Sequence, residues 1–85
     1  MIYRVELTRA AARQVKRLPA ETRERILARL EALAEAPRPP GVRKLAGTED
    51  GYRIRVGAYR ILYRIEDDRL VVLVMRVGHR GEVYR

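Results

Sequence analysis

At 85 residues the chain has room for one domain, spanning residues 1–85, and is too short for two. Its 47% hydrophobic content argues against disorder, and the absence of cysteine excludes disulfides and thiol chemistry. Nineteen Lys and Arg against eleven Asp and Glu leave a net charge of +8, which points to a polyanionic partner.

All but Lys16 and Lys44 of the nineteen bases are arginine. The planar guanidinium donates two parallel hydrogen bonds and suits a phosphate clamp better than an ammonium does. No apolar run reaches the roughly 18 residues of a membrane span, and Arg4, Glu6 and Arg9 interrupt any signal-peptide core. A cytoplasmic protein with no membrane partner is expected.

Ile2 to Leu7 alternates apolar and polar residues and predicts a first strand. Thr8 suits a helix N-cap, after which Ala11, Val15 and Leu18 recur at helical spacing with Arg9, Arg13, Lys16 and Arg17 outside. Pro19 ends that helix and fits the start of a second, whose early Glu21 and Glu24 favour the positive end of its dipole. Ile26, Leu27, Leu30, Leu33 and Ala34 form the second helix's apolar stripe. The run Pro37-Arg38-Pro39-Pro40-Gly41 cannot continue it.

From Gly51 the period changes to two. Tyr52, Ile54 and Val56 alternate with Arg53 and Arg55, and Gly57-Ala58 reads as a two-residue hairpin turn with Gly at its first position. Tyr59 to Ile65 is the return strand. Glu66-Asp67-Asp68 is a second turn, and Arg69 to Val77, the most apolar strand, is expected to be a central one. Gly78 to Arg85 is a polar tail. The fold class is α+β: order β-α-α-β-β-β, one mainly antiparallel sheet with a helical hairpin packed on one face.

If Gly57-Ala58 is the turn, Val56 pairs with Tyr59 and Arg55 lies opposite Arg60. Arg53, Arg55, Arg60, Leu62 and Arg64 then share one face, while Tyr52, Ile54, Val56, Tyr59, Ile61, Tyr63 and Ile65 share the face the helices cover. Arginines directly opposed destabilise a sheet, and no acid lies between residues 51 and 65 to relieve them. An anion site explains such a patch better than a solvated face does. Beyond it, glycines flank His79-Arg80, which allows those side chains to fold over the open face, and Tyr84 is placed to stack on a base or donate a proton.

At these residues the chain resembles the RelE/ParE toxin superfamily, specifically its RelE branch. The resemblance rests on Lys44-Leu45 and Gly47 before the hairpin, Tyr52-Arg53-Ile54-Arg55-Val56-Gly57 with Tyr59-Arg60 in it, and Val77-Gly78-His79-Arg80 with Val83-Tyr84 at the end. It covers nearly the whole chain. It implies a toxin of a type II toxin–antitoxin system that cuts mRNA in the ribosomal A site without a metal or other cofactor. The 2′-hydroxyl attacks the adjacent phosphate and the 5′-oxygen leaves.

That reaction needs a group to take the 2′-hydroxyl proton, positive charge on the phosphorane, and an acid for the leaving oxygen. By resemblance, Arg55 occupies the position of the proposed base, Arg60 holds the phosphate, Arg80 is the leaving-group acid and Tyr84 stacks on the substrate. Arg53, Arg64, Lys44 and His79 are expected to contact RNA. The family usually carries lysines where Arg53 and Arg55 stand, and arginine is a poor general base. Arg55 therefore reads as a clamp, with His79 the alternative acid or base. One His, no Cys and few acids make no metal site.

The expected partners are mRNA, the ribosome and an acidic antitoxin. Two other readings keep the same fold: a gyrase-inhibiting toxin of the ParE kind, which lacks the Arg80 and Tyr84 pair, and a non-catalytic RNA- or ribosome-binding module.

Overall fold

The computed structural model describes residues 2–79. The first strand, β1 (Arg4–Leu7), passes into α1 (Arg9–Lys16) through Thr8, whose backbone is extended. The Ala11 amide donates to Thr8 Oγ1 at 3.1 Å, and the hydroxyl donates to the Met75 carbonyl at 2.9 Å. One threonine thus satisfies an orphan amide of the first turn and fastens the helix to the sheet. Pro19 separates α1 from α2 (Ala20–Glu35), which stops at Ala36 because a residue before proline disfavours helical dihedrals.

The helices bury Ala11 and Val15 of α1 and Ile26, Leu30 and Leu33 of α2. Leu27, expected on the same stripe, is 42% exposed. It sits about 100° round the helix from Ile26, beyond the strip the sheet covers. Leu18 and Ala34 lie half-buried at the margins.

Four more strands follow: β2 (Arg43–Lys44), β3 (Gly51–Val56), β4 (Tyr59–Glu66) and β5 (Val71–His79). Among the described residues they form one sheet with β1, in the order β1-β5-β4-β3-β2. Only the β1–β5 pairing is parallel. The α+β class and the order of helices and long strands match the sequence reading. β2 is an addition, too short to show any period.

The hairpin register is the one the turn implied: Val56 opposite Tyr59, Arg55 opposite Arg60, and Ile54 opposite Ile61. Gly57 has φ +60°, while Leu70 alone among the described non-glycine residues has positive φ. Positive φ at the first central residue and not at Ala58 is the type II′ pattern. Ile54, Ile61, Tyr63 and Ile65 are buried under the helices, together with Val72, Val74 and Val77 of β5.

Two details depart from simple alternation. The second turn covers residues 67–70, with Leu70 in the left-handed region at φ +54°, so β5 begins at Val71 rather than Arg69. It also runs on to His79, into the stretch read as tail. Within it, Leu62 pairs with Arg76 and Tyr63 with Val74, leaving Met75 as the extra residue of a bulge. The bulge reverses the side-chain parity, which puts Val77 in the core and Arg76 on the open face. Met75 is 38% exposed.

Candidate nucleic-acid interface

The helices cover one face of the sheet, and the arginines of β3 and β4 stand on the other. Arg55 lies opposite Arg60. One strand over, Arg43 of β2 lies opposite Arg53 of β3. These two pairs, with Gly41 and Ile54, line a hollow of about 300 Å³. Among the described residues, no acid lines it. Arg53 and Arg60 are half-buried, whereas Arg43 and Arg55 are exposed.

Arg43 reaches this place because the Pro-rich link before it is held down. The Tyr63 hydroxyl donates to the Pro37 carbonyl at 2.7 Å, and its ring stacks on Tyr52 with centroids 6.0 Å apart. The Arg38 guanidinium lies 5.3 Å from the centre of the Tyr52 ring and donates through Nε to its hydroxyl at 3.2 Å. The same guanidinium gives Nη1 and Nη2 to the Asp67 carboxylate at 3.3 and 2.8 Å, and Tyr3 donates to that carboxylate at 2.6 Å. Arg38 first, and then the Tyr3 hydroxyl, hold the Asp67 carboxyl below its ordinary range. Burial, reinforced by Tyr52, pushes the Tyr63 phenol up to about 12. Sequence signals alone do not show that these tyrosines work as a clamp on residues 37–38.

The other expected site residues are distributed unevenly. Arg64 shares the open face but is turned to Asp50, its Nε and Nη2 standing 3.1 and 2.8 Å from Oδ2. That pair holds the Asp50 carboxyl below its ordinary range. The relieving acid thus comes from just outside the 51–65 window. Lys44 pairs with Tyr52, one residue out of step with the arginine pairs, so Arg43 rather than Lys44 lines the hollow.

His79 pairs with Tyr59 on the helix side of the sheet, the two rings meeting edge to face at 5.8 Å. It lines a separate hollow of about 490 Å³ with Gln14, Arg17, Leu18 and Pro19 at the helical junction. Gln14 Oε1 accepts from the Val77 amide at 2.7 Å and fixes that end of β5 against α1. His79 is therefore not brought together with Arg55 and Arg60. Arg80 and Tyr84 lie outside the described residues.

Four guanidiniums around one hollow can hold a phosphate by paired hydrogen bonds and stabilise charge that develops on it. Arginine stays charged at neutral pH and does not take a proton there. Among the described residues, no three His, Asp or Glu side chains gather as a metal ion would need. No helix there is long and apolar enough to cross a membrane.

Comparison with known proteins identifies the family. The family model described as ParE toxin of the type II toxin–antitoxin system parDE matches residues 5–84. A Mycobacterium tuberculosis protein named Toxin RelG is 40% identical, with 100% of this chain and 99% of that protein aligned. An Escherichia coli protein named mRNA interferase toxin RelE is 33% identical over 99% of this chain and 92% of its own length. Among solved structures, the archaeal RelE–RelB complex from Pyrococcus horikoshii superposes with a TM-score of 0.84 at 31% identity, covering 98% of this chain and 100% of the other.

Proposed function

The chain belongs to the RelE branch of the RelE/ParE toxin superfamily, the toxins of type II toxin–antitoxin systems, and on that premise we propose that it is an endoribonuclease that cleaves mRNA in the ribosomal A site until an acidic antitoxin neutralises it. The observation that carries this reading is the double arginine pair around one hollow. A sheet selected for stability alone does not oppose like charges twice in succession.

In the reaction, the RNA 2′-oxygen attacks the neighbouring phosphorus and loses its proton, while the bond from phosphorus to the 5′-oxygen breaks and that oxygen gains one. No metal or cofactor takes part. Arg43, Arg53, Arg55 and Arg60 hold the phosphate and stabilise the negative charge that builds on the phosphorane. Arg80 supplies the leaving-group proton and Tyr84 stacks on the substrate, the roles the family resemblance gives them. With arginine where relatives carry lysine, positioning and charge supply most of the rate. The protein acts as a single cytoplasmic domain, and a partly disordered, acidic antitoxin covers its positive charge.

The test is expression without an antitoxin, followed by cleavage of mRNA on programmed ribosomes. The wild type should arrest growth and cut A-site codons, and Arg60→Ala or Arg80→Ala should abolish most cutting while the protein stays folded. Parental cleavage by either variant would show the site to be misplaced. Growth arrest with intact mRNA and inhibited gyrase would replace this reading with the ParE-like one, and normal growth with soluble protein would refute the toxin reading.

A further inference from the structure

A second hollow adjoins the arginine hollow on the open face of the sheet. It measures about 500 Å³ and is lined by Lys44, Leu45, Ala46, Thr48, Arg53 and Leu62. That volume lies within the range of pockets that take small organic groups. Arg53 lines both hollows, so its side chain forms their common border.

The second hollow differs from the first in chemistry. Leu45, Ala46 and Leu62 give it an apolar interior, and its cations, Lys44 and Arg53, come from neighbouring strands. A phosphate placed against three apolar side chains would lose hydration that the cations at the rim repay only in part. A flat, neutral group with a polar edge fits better, and in a polynucleotide every phosphate is adjacent to such a group.

The wall is built in advance. The Leu45 amide donates to the Gly51 carbonyl at 2.9 Å, and Thr48 donates its hydroxyl to the Leu45 carbonyl at 2.9 Å. Gly47 lets the turn close with φ +79°. A Cβ at Gly51 would stand 2.6 Å from Thr48 Oγ1 and 3.2 Å from Leu45 Cδ1, so the absence of a side chain there lets the wall press onto β3. Preorganisation of this kind reduces the cost of ordering a site on binding.

We propose that the Leu45–Thr48 turn and Leu62 form a base subsite, which receives the nucleobase next to the phosphate held by Arg43, Arg53, Arg55 and Arg60. The inference rests on the RNA-cleaving reading above and adds a second base contact, separate from the stacking role given to Tyr84. Leu62 meets the face of the base.

The test uses an uncleavable 2′-O-methyl RNA trinucleotide and three versions, each lacking one base. Binding to the full chain is followed by fluorescence anisotropy. At one position, loss of the base should weaken binding about tenfold, the scale of a lost base contact. In Leu62→Thr, which removes the apolar floor, and in Ala46→Gln, which fills the hollow from an exposed loop, that penalty should disappear. If Arg60→Ala weakens binding but all three base-deleted versions bind as tightly as the parent, the subsite is refuted and the RNA reading stands. An undiminished penalty in both variants also refutes it, because the base is then held elsewhere. If Arg60→Ala leaves trinucleotide binding unchanged, the RNA reading fails and the subsite fails with it.

Discussion

Arg55 stands directly opposite Arg60 across the β3–β4 ladder, next to a turn whose geometry leaves no freedom to slip the register. Two like charges held that close cost a sheet roughly 0.2–1 kcal/mol relative to a neutral pair. Replacing one should therefore separate stability from function. Arg55→Thr, with a residue that favours strands, should raise the melting temperature by a few degrees while reducing RNA binding and cleavage. The gain in stability should shrink as salt is added, since salt screens the repulsion it relieves. A variant that is both less stable and less active would mean that the arginine pair supports the fold.

Arg43 and Arg64 provide a second comparison. Both are exposed arginines on or beside the open face, but Arg43 lines the hollow and Arg64 is engaged with Asp50. Each phosphate contact to a single strand contributes about 0.7 to the slope of log affinity against log salt. Arg43→Ala should lower that slope by about 0.7, measured by titrating RNA at several salt concentrations. Arg64→Ala should leave the slope near its parental value. Equal changes in the two variants would show that Arg64 leaves Asp50 to bind RNA.

The contrast between these arginines also shows what could be read from the sequence. The hairpin was legible because two-residue turns fix register and because Tyr52 to Ile65, apart from Leu62, alternates on either side of the turn. The Thr8 cap was legible from its residue type, and the helical stripes, apart from Leu27, from their spacing. Arg43 was not, because a two-residue strand has no period, and Lys44 one position along was named instead. Asp50 was missed as the partner of Arg64 because it lies before the strand rather than across it. The bulge at Met75 was also hidden, since β5 is apolar on both sides and alternation says little about which residue is the extra one. Arg76 therefore appears on the open face only once the sheet is assembled.

His79 provides a mechanistic test. Its ring meets Tyr59 on the helix side, whereas the paired arginines stand on the other face. A general acid or base must come within hydrogen-bond reach of the proton it moves, and its removal typically costs 10²–10⁴-fold. His79→Ala should instead leave the cleavage rate within about threefold of the parent. The rate should also be flat between about pH 6 and 9, with no titration in the window where imidazole changes charge. A profile that bends near neutrality in the parent and straightens in His79→Ala would place the histidine in the chemistry.

The clamp that holds residues 37–38 makes stability depend on pH at both extremes. Asp67, with Arg38 and Tyr3 as partners, has its folded carboxyl below the ordinary value of about 3.9. A depressed carboxyl contributes stability that is present above the unfolded value and lost as pH falls through the folded one. Asp67→Asn should therefore be less stable than the parent at pH 7, with the difference closing below about pH 4. Tyr63 has the opposite sign. Its phenol is raised to about 12, so its contribution is complete below the unfolded value near 10 and fades as pH rises towards the folded one. Tyr63→Phe loses the hydrogen bond to the Pro37 carbonyl, which should cost about 1 kcal/mol at neutral pH. Urea denaturation at steps from pH 7 to 12 should show the two proteins converging only above about pH 10. A constant difference across that range would mean that the Tyr63 phenol ionises alike in the folded and unfolded chains, and that burial under the link does not perturb it.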